Sequence, residues 1–279
     1  MDDFIDDIFL IDTHAHLDMI EEQTPEEVVS EAQANDVKVI INVGSSIEGS
    51  KKSLEYANTF ENVFAAVGVH PHSADTFFSN EAKIIEDLIK LNINQSSKND
   101  NKKNENKRVV AVGETGLDFY KNPVSKIDQE RAFTLQIEIA LANNIPIIIH
   151  DRDAHKETLK IIKKYSNEKN FKAVMHCFSG DSNFAIKCLE EGLFLSFTGV
   201  VTFPNALTTK EVVKIVPLNR IFVETDCPFL APQPKRGKEN RPSYVVYVAE
   251  EIARLKDMSV DDIKRETSKN AKNFFNLTI

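Results

Sequence analysis

Tryptophan is absent from this chain of 279 residues, cysteine occurs only three times, and long apolar runs are missing altogether. No run approaches the ~18 residues that mark a membrane-spanning helix, so that class is excluded. Cys177, Cys188 and Cys227 are odd in number and form no CxxC pair. This argues against a disulfide framework or a structural zinc knuckle and for free thiols in a reducing compartment. Positive charge is also short, since 34 Lys and Arg face 43 Asp and Glu, for a formal net charge of −9. Proteins that coat duplex nucleic acid with their general surface are usually basic, so that class falls away too. A site rich in cation-binding carboxylates does not, because bound cations offset its charge locally. The amino-terminal stretch MDDFIDDIFLID lacks the basic region of a signal peptide, and a cytoplasmic location (nuclear in a eukaryote) is expected. The composition, 42% hydrophobic and 28% charged, suits a soluble globular enzyme, and the length allows one barrel-sized domain over 1–279 or two smaller ones.

What is present is rhythm. Short β-branched runs recur at 8–12, 37–44, 63–69, 109–113, 145–150, 172–178, 193–200 and 220–226, each separated from the next by a helical pattern. The runs are continuously apolar, as strands buried on both faces of a parallel sheet must be. Between the first two, Thr24 is placed as a helix N-cap, with Pro25 at the first helical position and Glu27 three residues after the cap. Over 128–144, Phe133, Ile137, Ala140 and Leu141 fall on one helical face. Two further helices are expected near 243–256 and 259–275. Eight such units in about 250 residues point to an α/β fold, a (β/α)8 TIM barrel whose active site lies at the C-terminal ends of the strands. A doubly wound open sheet is the competing architecture. One stretch breaks the pattern: 92–108 is rich in Asn, Lys and Ser, and is expected as a disordered loop insertion on the N-terminal face.

The chemistry collects where the strands end. The first run leads into DTHAHLD, with Asp12, His14 and His16. The third leads into GVHPH, with His70 and His72, and the fourth into Glu114. The fifth leads into HDRDAH, with His150 and His155, the sixth into HCFSG, with His176, and the eighth into ETDCP, with Asp226. A single histidine at a strand end is more often a packed or solvated residue than a ligand. All seven histidines of the chain sit at or just past a strand end, and packing alone gives no reason for that. His14 and His16 alternate along extended chain, so both imidazoles reach one point. With Glu114, His150, His176 and Asp226 they form a His/carboxylate set large enough for two divalent ions. Glu114 is expected to end its strand as a carboxylate bridging two cations, with Gly113 and Gly116 letting the backbone turn around it.

The ordered motifs DTHAHLD, GVHPH, GETGLDFY, HDRDAH, HCFSG, ETDCPFLAP and RGKENRPSYV resemble those of the TatD-type metal-dependent deoxyribonucleases of the amidohydrolase superfamily, from about residue 9 to 275. The resemblance implies a TIM barrel with one or two divalent metal ions that hydrolyses phosphodiester bonds, with DNA as the substrate partner. It also implies that His14, His16, Glu114, His150, His176 and Asp226 are the metal ligands. By the same resemblance His70 contacts the scissile phosphate or a leaving group, a plain hydrogen-bonding role beside the ligands being the alternative. Members of the family usually carry Asn-Glu-Pro where this chain has Asn240-Arg241-Pro242, which puts any role of that glutamate in doubt here. Cys227 stands where alanine or serine is commoner and reads as a small filler.

In the mechanism expected, Glu114 bridges, His14, His16 and Asp226 hold one ion, and His150 and His176 hold the other. Asp226 takes the proton from the attacking water. Phosphate binding needs fixed positive charge on the same rim, and Lys121, Arg152, Lys235 and Arg236 are the candidates, with Lys238 and Arg241 beside them. Phe178, Phe203 and Phe229 are candidates for stacking on bases, with core packing as the plainer role. Histidine ligands suit Zn2+ or Mn2+, whereas the resemblance implies activity with Mg2+. The expected function is a metal-dependent deoxyribonuclease acting as a 3′–5′ exonuclease, monomeric and away from membranes. The alternatives are a hydrolase of an ester or amide on the same barrel, such as an aminoacyl ester deacylase, and a non-catalytic binding barrel with structural metals.

Overall fold

Strands that are apolar on both faces have to be covered on both sides, and this chain meets that demand by curling the sheet around itself. The computed structural model describes residues 8–96 and 107–279. Within them the strands are β1 (Leu10–Ala15), β2 (Val37–Val43), β3 (Val63–Val67), β4 (Val109–Asp118), β5 (Ile147–Arg152), β6 (Ala173–Met175), β7 (Phe194–Phe197) and β8 (Ile221–Val223). All neighbouring pairs are parallel and follow chain order. The ring closes where the segment after β8 meets β1: Ala15 bridges Cys227, and Asp226 N donates to His14 O at 2.9 Å. Around the sheet run α1 (Pro25–Ala34), α2 (Ile47–Thr59), α3 (Ser79–Ser96), α4 (Lys126–Asn143), α5 (His155–Ile162), α6 (Ser182–Glu190), α7 (Leu207–Ile215), α8 (Val245–Lys256) and α9 (Val260–Phe275). The expected TIM barrel is the architecture found. No helix among the described residues is long and apolar enough to cross a membrane.

Local signals act as the sequence leads one to expect. Thr24 Oγ1 accepts from Glu27 N and the Glu27 carboxylate accepts from Thr24 N, a reciprocal cap that starts α1 at Pro25 and contributes ~1 kcal/mol. Apolar side chains then sort into two layers. Ile40, Ile147 and Val223 face outward onto helix residues such as Val28, Ile137 and Ile252. Ile11, Val39, Phe64, Ile148 and Phe222 fill the barrel, joined by Phe274 and Phe275 from the end of α9. The Phe222 ring lies 5.2 Å from that of Phe274 and 5.7 Å from that of Phe275. These aromatics close the N-terminal mouth.

Three expectations need correction. First, β4 does not end at Glu114 but continues to Asp118, and Gly113 and Gly116 make no turn. Their φ angles of 144° and 148° lie where other residues are strained, and a Cβ on Gly113 would sit 2.7 Å from Ile148 O. The glycines let β4 press against β5. Second, Arg108 is not part of a disordered insertion. Its guanidinium donates to the carbonyls of Ala57, Phe60, Glu61 and Val63 at 2.6 to 3.0 Å. The remainder of the expected insertion falls largely outside the described residues. Third, β6, β7 and β8 are shorter than the apolar runs that announced them, because their last residues turn over the rim.

Candidate metal centre

At the C-terminal rim the side chains converge on Glu114, and its two oxygens divide the cluster. Oε2 lies 3.6 Å from His14 Nε2 and 3.8 Å from His16 Nε2. Oε1 lies 2.7 Å from His150 Nδ1, 3.6 Å from His176 Nε2 and 3.7 Å from His70 Nε2. Asp226 Oδ1 stands at 3.6 to 3.9 Å from His14, His16 and His176. All six residues expected as ligands are thus brought together, and His70 joins them.

Two of the histidines are held from behind. His16 Nδ1 meets Val43 O at 2.8 Å, and His176 Nδ1 meets Glu224 at 2.7 Å. Such contacts fix the ring and turn the other nitrogen toward the centre. Glu224 also accepts from Cys177 N. Asp118 does a similar job for two rings, meeting His72 Nε2 at 2.9 Å and His150 Nε2 at 3.4 Å while accepting from Tyr120 N. Asp12 does not face the cluster. It accepts from Thr225 N, Thr225 Oγ1 and His14 N, tying β1 to the chain after β8.

Burial and mutual charge set the proton balance. Burial opposes the ionised form of Glu114, but His70 and His176 together with hydrogen bonds from His14 and His150 hold its carboxyl well below the usual range. Asp226 is lowered too, burial being outweighed by His176 and His16. Burial disfavours charge on His176, yet Glu224, Asp226 and Glu114 push it up to about 10. Asp118 and Glu114 do the same for His150, which burial alone would lower and which stands at about 9. Burial takes His70 down to about 3, so its charge acts on Glu114 only in acid and the ring is neutral near pH 7.

The donor set fits divalent cations. His14 Nε2 and His16 Nε2 are 3.2 Å apart, and a proton can sit on only one of them at a time. Imidazole nitrogens and carboxylate oxygens gather within 4.8 Å in the groups His14, His16, Glu114 and Glu114, His150, His176. A cation in each would replace the protons that His150 and His176 otherwise hold. Two further groups, His14, His176, Asp226 and His70, Asp118, His150, share the rim.

The other expected residues are less uniform. Arg152 stacks on Tyr120 at 4.0 Å, and Lys121 Nζ lies 5.2 Å from the centre of the same ring. Lys235 is held between Tyr244 and Tyr247, and Arg236 stacks on Phe203 at 4.5 Å. Arg241, expected to join that basic cluster, is instead committed to Glu22 at 2.9 Å and Glu31 at 3.2 Å. Phe178 is buried against Phe184 and Phe197, so it cannot stack on a base. Phe229 is 52% exposed, with its ring 6.4 Å from that of His16.

Sequence reasoning missed Glu224 and Asp118, although each lies within a motif that supplied a candidate. It also missed Gln129 and Gln136 on the inner face of α4. Gln136 accepts from Val69 N and donates to Val69 O and Thr115 Oγ1, while Gln129 accepts from Asp118 N. A seven-residue spacing of two amides on an otherwise apolar face was the available signal.

The family model described as TatD related DNase matches residues 11–276. The chain belongs to the TatD-related DNase family. Among its TatD-family relatives, an uncharacterized metal-dependent hydrolase YabD of Bacillus subtilis is 40% identical, over 96% of this chain and 99% of that protein. The 3′-5′ ssDNA/RNA exonuclease TatD of Cronobacter turicensis is 30% identical, over 90% and 91% of the two chains. The crystal structure of YJJV, a TatD homolog from Escherichia coli K12, superposes with a TM-score of 0.85 at 25% identity, covering 96% of this chain and 98% of that one. The TatD-family barrel is thus shared over nearly all of the chain, and this member is a metal-dependent hydrolase whose candidate centre is the Glu114 cluster.

Proposed function

We propose that this TatD-family hydrolase is a deoxyribonuclease that removes nucleotides from the 3′ end of DNA. The observation that carries the reading is the division of Glu114: one oxygen faces His14 and His16, the other faces His150 and His176. A carboxylate so placed suits a pair of cation positions, as two-metal phosphodiester hydrolysis requires. The Cronobacter relative, named as a 3′-5′ exonuclease on single strands, supports the polarity.

In this reading His14, His16 and Asp226 would hold one cation and His150 and His176 the other, with Glu114 available to both. Mg2+ is the ion we assign in use, with Mn2+ or Zn2+ as the alternatives that four imidazoles favour. When bound, such ions supply Lewis acidity to water and phosphate and offset the charge that develops between them. The chain's own groups do the rest. Asp226, ionised beside His16, accepts the proton of the attacking water at its carboxylate. His70, neutral and 3.7 Å from Glu114, donates from its ring to a phosphate oxygen. Lys121 and Arg152 on one side of the rim, with Lys235 and Arg236 on the other, bind flanking phosphates from positions braced by aromatic rings. Phe229 offers a base an exposed face beside His16.

End-labelled single-stranded and duplex DNA incubated with Mg2+ or Mn2+ tests the reading. Stepwise shortening from the 3′ end, abolished by EDTA and by Glu114→Ala, is the expected outcome. DNA left intact under every metal condition, with turnover of a nitrophenyl ester or an aminoacyl ester, would replace this function with the ester and amide alternative.

A further inference from the structure

Outside the metal cluster the barrel carries a groove of about 720 Å3 between α5 and α6, and the reaction as described makes no use of it. Helices of a barrel run antiparallel to its strands, so the N-termini of α5 and α6 lie on the rim that holds Glu114. The groove therefore begins at the rim, beside His155 and Ser179, and descends along α5 for ~12 Å to Lys163. His155 follows His150 by five residues and is anchored to Asp151.

The walls are basic on a chain whose net charge is −9. Lys156, Lys160 and Lys163 recur along α5 at the spacing of one helical face, and Lys187 faces them from α6. All four are exposed. Lys163 meets Glu191 at 3.7 Å; among the described residues the other three form no ion pair. Asp181 is the one acid in the lining, and its carboxylate is already occupied in capping α6 through Phe184 N. The His155 ring stacks on Phe184 at 4.2 Å with 15° between the planes, and its side chain is 38% exposed. A rigid aromatic face at the head of a lysine-lined groove is the combination that holds unpaired bases and their backbone.

We infer that the α5–α6 groove binds the single-stranded nucleic acid on the 5′ side of the nucleotide being removed. Lys156, Lys160 and Lys187 meet successive phosphates, and the exposed face of His155, backed by Phe184, meets a base. The inference rests on the nuclease reading above. It accounts for how an acidic protein gathers a polyanion, because attraction confined to one track needs no basic surface elsewhere.

The test compares wild type with Lys160→Glu/Lys187→Glu and with Lys160→Gln/Lys187→Gln, both at exposed positions, with folding checked by circular dichroism. Two substrates are used with Mg2+: an oligothymidylate of about 20 nucleotides, long enough to occupy a groove, and bis(p-nitrophenyl) phosphate, which reaches only the metal centre. The expected result for the glutamate pair is a KM for the oligonucleotide raised about tenfold relative to that for the small diester, the glutamine pair falling between. The salt dependence of oligonucleotide affinity, read by anisotropy in a Glu114→Ala background, should lose about 1.4 in logarithmic slope with either pair, from two lost phosphate contacts. An unchanged KM ratio and salt slope would overturn the groove while leaving cleavage, and so the nuclease reading, standing. Competition by poly-glutamate as effective as that by unlabelled oligonucleotide would overturn the assignment to a nucleic-acid strand. A wild-type protein that binds the oligonucleotide through these lysines but cuts none would support the groove and sink the nuclease reading.

Discussion

The two mouths of the barrel are lined by the same eight strands and have opposite contents. The N-terminal mouth holds Phe222, Phe274 and Phe275 in mutual ring contact. The C-terminal mouth holds four carboxylates and five histidines in close contact. The difference shows how a barrel separates its tasks. Apolar packing at one end supplies free energy that the other end, with its buried like charges, does not. The strands connect the two ends, and whether distortion at the aromatic mouth reaches the cluster short of unfolding is open to test.

That contrast can be broken from either side. At the polar mouth, Glu114→Ala is expected to lower kcat/KM for DNA by at least about a thousandfold, the scale of losing a group that acts in the transition state. The wild type is expected to melt higher when Mg2+ or Mn2+ binds its folded state, and the variant should lose that rise. A loss below tenfold, or an undiminished metal-dependent shift, would remove Glu114 from the centre. At the aromatic mouth, Phe222→Ala is expected to cost about 3–5 kcal/mol, about 10 °C in melting temperature by calorimetry for a chain of this size. Its kcat at 20 °C should remain within a few-fold of wild type. A large loss of turnover in folded Phe222→Ala protein would show that the mouths are not independent.

A smaller effect sharpens the picture. Asp118→Asn removes charge behind His150 and His72 without touching a cation position assigned here. Activity is expected to fall about 10- to 100-fold, as for other groups that orient metal-binding histidines. The pH profile of kcat/KM should shift to lower pH, because burial now lowers His150 with less carboxylate charge to oppose it. An unshifted profile would reduce Asp118 to a packing role.

The smallest expected effect lies away from both mouths. Burial disfavours ionisation of Glu31, but Ser243, Gln23 and Arg241 bond its carboxylate and lower it from its ordinary 4.5. A lowered folded-state value means that the stabilisation is complete above 4.5 and is lost as pH falls below it. Glu31→Gln should therefore cost up to about 1 kcal/mol at pH 7, and the cost should shrink as pH falls from 4.5 through the lowered folded-state value. A difference in urea midpoint that does not diminish on acidification below pH 4.5 would contradict this origin.

Much of this was legible in the chain before the coordinates. Eight continuously apolar runs can be buried only in a two-sided parallel sheet, and seven histidines at strand ends have no packing reason to be there. What escaped was whatever depended on the neighbouring element. Gly113 and Gly116 look like turn residues, because the close approach of Ile148 and His150 that requires them is not written near them. Glu224 hides beside Asp226, and only the ring of His176 behind it reveals its task. Gln129 and Gln136 read as lapses in an apolar face until the backbone groups of Val69 and Asp118 are seen beneath them. Arg241 carried a charge suited to phosphate, and two distant acids claimed it.

Arg108, gripping four carbonyls just before β4 enters the sheet, acts as an anchor bolt at the end of the strand opposite Glu114. The bolt ties the first residues of β4 to the end of α2 and the start of β3, and so sets from below the height at which Glu114 stands on the rim.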